Sequence, residues 1–330
     1  MRRGALAALA VGAAGCSSDS NVIDPAGRGA AEIATLWWFL LVPATLVSLL
    51  VIGLLLVTAR RRRDRPSLGD GPLDEDETAD RRWVVWGGVV LPVVVLLPLA
   101  ALVYVTSQRI AEPPDAGEMV IEVVGHQYWW EVRYPETGAV TANEIHIPVD
   151  SKVRIDLSTD DVIHSFWVPS LHGKTDMIPG QDTHIVLEPT RTGEFQGYCA
   201  EFCGVQHAGM RFRVIVTEPE DFDAWLARES DDAAPPEGEL AERGAEVFGE
   251  VGCADCHRVA GSDFDGDVGP DLTHLASRRT LGAGIIANRR GELAGWISDP
   301  QGVKPGNLMP PAALDAEDLD ALLAYLEGLE

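Results

Sequence analysis

The sequence predicts a chain of three parts: two transmembrane helices forming a hairpin, an all-β domain and a small all-α domain. Three observations carry this. Two long stretches near the start hold no charged residue. The middle alternates short runs rich in Val, Ile, Tyr and Trp with Gly, Pro and Asn. The tail shows amphipathic helical spacing around a Cys-x2-Cys-His run. At 330 residues the chain is long enough for several folded units.

Residues 1–16 read as an export signal, with Arg2 and Arg3 ahead of a short apolar run that ends on small residues. The run Ala-Ala-Gly-Cys16 resembles a bacterial lipoprotein signal, in which the cysteine is lipidated and becomes the mature N-terminus. The hairpin is placed at residues 30–110. Its spans, 33–59 and 83–108, each exceed the ~20 apolar residues that cross a bilayer as a helix, and neither shows the polar stripe of a soluble helix. Arg60, Arg61, Arg62, Arg63 and Arg65, with Arg81 and Arg82, put the loop 60–82 in the cytoplasm. The N-terminus and everything after Arg109 then face outward from a bacterial inner membrane, on the periplasmic side. Trp37, Trp38 and Trp83 mark span ends.

From Arg109 onward 16 Lys and Arg stand against 41 Asp and Glu, so this portion carries the whole net charge of −25. Such a surface repels a phosphate backbone and excludes nucleic acid as a partner. It attracts basic proteins, and it also serves solubility. Five cysteines argue against a simple disulfide framework: Cys16 is alone, Cys199 goes with Cys203, and Cys253 with Cys256.

The β domain spans 112–228. Its clearest strands are 119–124, 128–134, 152–157, 183–188 and 211–217, a spacing that suggests a sandwich or barrel, closed by a short helix at 219–228. Inside it lies Cys199-Ala-Glu201-Phe-Cys203-Gly-Val-Gln-His207-Ala-Gly-Met210, with His164 upstream. Thiolates, imidazoles and a thioether select copper over hard cations. A mononuclear site needs one Cys, two His and a weak Met, so one thiolate is surplus; two coppers bridged by both sulfurs use every ligand. A Cys199–Cys203 disulfide, or a tetrahedral zinc site, leaves Met210 without a role. His126, His146, His172 and His184 read as surface or strand hydrogen-bonders.

Residues 229–238 form a polar, Pro-containing linker, whose flexible reach would be ~20 Å. Beyond it, Cys253-Ala-Asp-Cys256-His257 has the spacing for covalent c-type haem, the two thiols adding to the vinyls and His257 facing the iron. A redox Cys-x2-Cys or half a zinc site would not call for the adjacent His. Met309 and His274 are the candidates for the other axial position. Met309 sits in Gly306-Asn-Leu-Met-Pro-Pro and is preferred; a Met/His pair raises the reduction potential. Leu240, Gly244, Val247 and Phe248 share one helical face. Leu319, Leu322, Leu323, Leu326 and Leu329 form a second, begun by Asp315 as N-cap.

Taken together, the hairpin, His164-Ser-Phe-Trp-Val-Pro and the 199–210 run resemble subunit II of the haem-copper cytochrome c oxidases, over residues from about 30 to 225. The resemblance implies a cupredoxin-like Greek-key barrel holding the binuclear centre called CuA. Cys199 and Cys203 would bridge both coppers, with His164 and Met210 on one and His207 and the Glu201 backbone carbonyl on the other. The Glu201 side chain would reach a magnesium site shared with subunit I, and Asp176 would lie near that interface. In Gly125-His126-Gln127-Tyr128-Trp129, Tyr128 takes the place of the family's tryptophan that receives electrons from cytochrome c, with Trp129 beside it. Residues 239–330 resemble a small class I cytochrome c, which one branch of the family carries fused.

The implied function is electron relay. An external donor, such as a cytochrome c or a cytochrome bc complex, would reduce the haem and then CuA. Subunit I, accompanied by subunit III, would reduce oxygen and pump protons. Neither span holds a histidine, so the oxygen chemistry lies in subunit I and no catalytic residue is assigned in this chain. The rival readings are the CuA-containing subunit of a nitric oxide reductase and a copper-binding membrane lipoprotein without enzymatic role. A quinol oxidase subunit would lack the copper ligands, which are all present.

Overall fold

The two charge-free stretches form long helices in the computed structural model, which describes residues 21–63, 77–110 and 119–330. The expected export signal with Cys16, most of the inter-span loop and the start of the β domain lie outside the described residues. Helix α1 is Arg28–Arg63; the second span runs from α2, Glu77–Val85, through a π-helical turn at Trp86–Val90 into α3, Leu91–Ile110. Both spans are long and apolar enough to cross a membrane. Leu46, Leu55 and Leu97 are among many large apolar side chains that no protein covers, as expected where lipid is the solvent and the helix satisfies its own backbone. Arg109 approaches Glu32 to 3.8 Å, which brings the start of one span level with the end of the other.

Ten strands follow: β1 Met119–His126, β2 Trp129–Tyr134, β3 Ala139–Ala142, β4 Glu144–Pro148, β5 Val153–Thr159, β6 His164–Trp167, β7 Lys174–Met177, β8 Thr183–Leu187, β9 Gly193–Cys199 and β10 Arg211–Thr217. They make two five-stranded sheets, ordered β3-β2-β1-β5-β8 and β4-β10-β9-β6-β7. The β1–β5 and β4–β10 pairs are parallel and the remaining ones antiparallel. This is the expected cupredoxin-like sandwich. Strand β5 shows why the sheets close on each other: Val153, Ile155, Leu157 and Thr159 alternate inward, as a period of two requires. Trp130, Phe166 and Phe212 fill the centre, the Trp130 and Phe212 rings 5.0 Å apart and the Phe166 and Phe212 rings 4.6 Å apart. The five strands read from the sequence are all present, within two residues at each end. The others are short or carry Gly and charge in place of a clean apolar alternation.

Helix α4, Pro219–Glu229, closes the sandwich. The tail then builds α5 Glu239–Glu250, α6 Arg290–Ser298, α7 Pro300–Val303 and α8 Ala316–Glu327. Helices α5 and α8 cross at Gly244, where a Cβ would come within 2.0 Å of the Ala321 carbonyl oxygen. Only glycine permits that approach. Val247 and Phe248 on α5 and Leu322, Leu323 and Leu326 on α8 bury against each other there. Asp315 caps α8 as read from the sequence, its carboxylate accepting from Glu317 N (3.0 Å) and Asp318 N (2.9 Å).

The linker departs from the expected free tether. Glu229 belongs to α4 and is buried, His274 Nε2 lies 3.1 Å from the Asp231 carbonyl oxygen, and Ala233 N donates to Ala260 O at 3.0 Å. The β sandwich and the helical tail fold as one compact unit.

Candidate redox centres

Strand β9 ends on Cys199 and β10 begins on Arg211, so the Cys-x3-Cys-x3-His-x2-Met run is a single loop at one end of the second sheet. Its base is pinned by Cys199 N donating to Met210 O (3.0 Å) and Ala200 N donating to Ser165 O (2.9 Å). Strand β6 pairs with β9 and starts on His164, which delivers that imidazole to the loop from far upstream. His164 Nδ1 lies 3.8 Å from Cys199 Sγ, and His207 Nδ1 lies 3.9 Å from Cys203 Sγ. Met210 Sδ is 3.8 Å from Cys203 Sγ, the two cysteine sulfurs are 3.9 Å apart, and the Glu201 carbonyl oxygen is 3.2 Å from Cys199 Sγ.

Ligands held ~2.0–2.3 Å from one ion at tetrahedral to trigonal angles stand roughly 3.3–4.0 Å from each other. The donor separations fit a shared metal, and neither cysteine is in a disulfide. His164, Cys199 and Cys203 are all buried, with donor atoms within 4.8 Å of one another. The hydrogen bond between the thiols holds Cys199 far below the ordinary thiol range and Cys203 far above it. This soft donor set fits copper.

A residue the sequence reading passed over orients the site. Asp161 Oδ1 lies 2.8 Å from His164 Nε2 and accepts from Val162 N (2.6 Å), while Oδ2 accepts from Gln127 N (2.6 Å). Burial opposes charge on His164, but hydrogen bonds to Cys199 and Asp161 outweigh it and raise its pKa. The carboxylate fixes the ring so that Nδ1 faces the sulfur, the usual role of such an outer partner. Its local signal was an Asp three residues ahead of the ligand-type histidine. Asp176 sits on edge strand β7 opposite Ser165, whose hydroxyl donates to it at 2.7 Å, and is exposed. Glu201 is half-buried beside Phe202, which is 75% exposed.

The second site is a cavity of about 250 Å³ in the helical tail, lined by Cys253, Cys256, His257 and Met309 among apolar side chains such as Phe248 and Leu293. His257 Nδ1 lies 2.7 Å from the Pro270 carbonyl oxygen, which leaves Nε2 to face the cavity's occupant. Burial lowers the His257 pKa, so the ring stays neutral, as a metal ligand must be. Burial also pushes the Cys253 thiol up to about 11, which favours its protonated form. The residues present fit a covalent haem. Of the two candidates for the other axial position, Met309 lines the cavity and His274 does not. The His274 nitrogens approach the main-chain oxygens of Glu330 (2.7 Å) and Asp231 (3.1 Å), so that histidine holds the linker to the segment after α8.

Gln127, Tyr128 and Trp129 line the same cavity from the β-domain side. Tyr128 is 8% exposed and packs in the core of the β sandwich. Its hydroxyl accepts from Val205 N (3.2 Å) in the cysteine loop, and Gln127 Nε2 donates to Cys203 O (2.5 Å). Lys304 Nζ donates to the carbonyls of Tyr128 (2.7 Å) and Gly282 (2.8 Å). Burial pulls its pKa down to about 7; neutral or charged, the amine can make both donations. Further out, Glu144 Oε1 accepts from Arg279 N (2.8 Å) and Gln206 Nε2 donates to Pro305 O (2.7 Å). None of these cross-domain contacts was legible in the sequence. The four histidines set aside there fit their reading in part: His126 contacts Glu131 at 3.4 Å, and His184 is exposed. His146 is stacked on Trp225 at 3.9 Å, and burial lowers its pKa to about 3.

A two-span chain that joins a soft-donor metal loop to a covalent-haem cavity in one folded unit is an electron-transfer subunit of a membrane complex. Residues 139–218 match the family described as cytochrome c oxidase subunit II, periplasmic domain, and residues 241–330 match the cytochrome c family. The chain is 35% identical to cytochrome c oxidase subunit 2 of Alkalihalophilus pseudofirmus, over 96% of this chain and 93% of that protein. It is 30% identical to the Bacillus subtilis subunit 2, over 94% of this chain and 92% of that one. A crystal structure of the periplasmic domain of subunit II of cytochrome oxidase from Bradyrhizobium japonicum is similar at 30% identity, covering 35% of this chain and 95% of that one with a TM-score of 0.34. The chain belongs to the cytochrome c oxidase subunit 2 family and is a haem-copper oxidase subunit II with a fused cytochrome c domain.

Proposed function

We propose that this subunit relays electrons from an external donor to subunit I, where oxygen is reduced and protons are pumped. The observation that supports this best is the shared seam: Tyr128 and Trp129 line the cavity of Cys253, Cys256, His257 and Met309, while Tyr128 and Gln127 bond to the cysteine loop. Cys199, Cys203, His164, His207, Met210 and the Glu201 carbonyl would hold the copper pair. Cys253 and Cys256 would hold the haem, and His257 and Met309 its iron. Bound there, the copper pair and the haem supply reversible one-electron chemistry. Asp161 orients His164, and the Pro270 carbonyl orients His257.

In this reading the exposed Asp176, with Glu201 and Phe202, faces subunit I, and the Glu201 carboxylate contributes to a shared magnesium site. Subunit III completes the complex. The loop between the spans is cytoplasmic, both redox domains are periplasmic, and Cys16 carries a lipid that mass spectrometry of the mature N-terminus would detect. The deciding experiment is to purify the chain with its native partners and compare oxygen with nitric oxide consumption. Oxygen uptake with acidification of the medium, two coppers and one haem c per chain, and a mixed-valence copper EPR signal are expected. Preferential nitric oxide turnover would move the complex to the reductases, and one copper or a zinc would refute the binuclear site.

A further inference from the structure

Lys304 is one of three lysines in the chain, and it alone is fully buried, at 3% exposure. Its backbone is held on the haem side: Lys304 N donates to Pro300 O (2.8 Å), and Asn307 Nδ2 donates to Lys304 O (2.7 Å). The same Asn307 fixes Met309, whose N–H donates to Asn307 Oδ1 at 2.8 Å. The lysine stem is therefore rigidly placed relative to the Met309 loop. At its tip, Nζ reaches across the seam to the Tyr128 carbonyl, in the segment whose side chains bond the cysteine loop at Cys203 and Val205.

The other acceptor of Nζ is equally well placed. Gly282 opens a turn in which three successive residues, Gly282 (φ 61°), Ala283 (φ 62°) and Gly284 (φ 80°), are left-handed. Alanine avoids that region and holds it only where its surroundings enforce it. Here the Ala283 carbonyl accepts from Arg211 N (3.1 Å), the residue after Met210. Lys304 thus joins two pieces of backbone, each one contact away from the metal loop. The Glu144 and Gln206 contacts cross the same seam, but neither residue lines the haem cavity.

We propose that Lys304 is a positioning residue for internal electron transfer: by clamping the Tyr128 and Gly282 carbonyls, it holds the haem cavity in register with the copper-ligand loop. This rests on the relay reading above. It adds that the docked arrangement is the working one, with the copper-side tyrosine reserved for the chain's own haem and closed to an outside protein.

The test uses the full-length chain in its native oxidase complex. An electron is injected photochemically into the haem, and the haem and copper bands are followed. Lys304→Met keeps the aliphatic stem and removes both donations. It should leave the haem spectrum, the copper EPR signal and haem reduction by the external donor as in wild type, while haem-to-copper transfer slows about tenfold or more, since a ~1 Å misplacement of reacting partners can cost ~100-fold. Lys304→Arg, which can still donate twice, should recover part of the rate. Glu144→Ala, which loosens the seam at Arg279 and Thr280 without touching Lys304, should slow transfer about threefold at most. A Lys304→Met rate within about twofold of wild type would overturn the proposal. So would equal slowing by Glu144→Ala, which would make docking strength the determinant, or loss of the haem band, which would assign the lysine to the cavity's own folding. Absence of haem-to-copper transfer in wild type would instead sink the relay reading itself.

Discussion

Replacing Gly269 by alanine should disturb His257, the proposed haem ligand, from behind. A Cβ at Gly269 would come 2.6 Å from His257 Cε1 and 2.9 Å from Nδ1, about 0.8 Å short of the 3.4 Å at which ordinary contact begins. The glycine cannot retreat easily, because its N–H donates to Cys256 O at 2.7 Å, inside the haem-attachment run itself. The ring must therefore move. A shift of that size stretches the 2.7 Å contact between Nδ1 and the Pro270 carbonyl past hydrogen-bond range, leaving a buried N–H that costs ~1–3 kcal/mol. It also exceeds by several-fold the ~0.2 Å tolerance of a metal–ligand bond. Overpacking of this kind destabilises by ~1–3 kcal/mol. In a docked unit of this size each kcal/mol lowers Tm by ~2–4 °C, so a fall of roughly 2–12 °C is expected. The haem should still attach through both cysteines, yet part of it should become five-coordinate and bind carbon monoxide when reduced. Absorbance spectra with and without carbon monoxide, together with a melt followed by circular dichroism, provide the readout. A wild-type spectrum, no carbon monoxide binding and an unchanged Tm would refute the idea that bare glycine backs an axial histidine.

Three further outcomes follow from the same geometry. Asp161→Asn should weaken copper binding ~10–100-fold, as loss of an orienting partner does; competition with a copper chelator measures it, and unchanged affinity would dismiss the orienting role. Cys203→Ser should abolish the paired copper signal, whereas Met210→Leu should keep copper and shift its potential, because a thioether is a weak ligand; EPR and potentiometry separate the two. Met309→Leu should leave the haem attached, lower its potential, since methionine ligation raises it, and slow copper reduction severely in rapid mixing. Copper reduction that stays fast after deletion of the haem domain would reduce the cytochrome to an accessory store.

Much of the chemistry was legible because it is local. The runs Cys199 to Met210 and Cys253 to His257 place their donors within one loop each, so spacing alone announces a soft-metal site and a haem attachment. The charge-free spans were legible for a similar reason, since the bilayer imposes a length and a composition on any helix that crosses it. Asp315 and the leucines of α8 followed from helical periodicity and capping. His164 was harder: it joins the loop only because β6 pairs with β9, and no short-range spacing ties it to the 199–210 run.

What the sequence determined by itself, then, was the inventory of parts: two spans, a β domain with a thiolate-rich loop, and a helical tail with a haem motif. Periodicity, composition and short-range spacing encode those directly. Only the tertiary structure decided how the parts face each other. The linker's composition suggested a free tether, but Ala233 and His274 fasten it, and Glu229 is drawn into a buried helix end. Tyr128 read as the landing point for an outside protein, yet it packs in the sandwich core, and the chain's own tail binds its carbonyl through Lys304 from 176 residues away. Contacts of that separation leave no periodic or local trace, because each depends on two surfaces that exist only after both domains have folded.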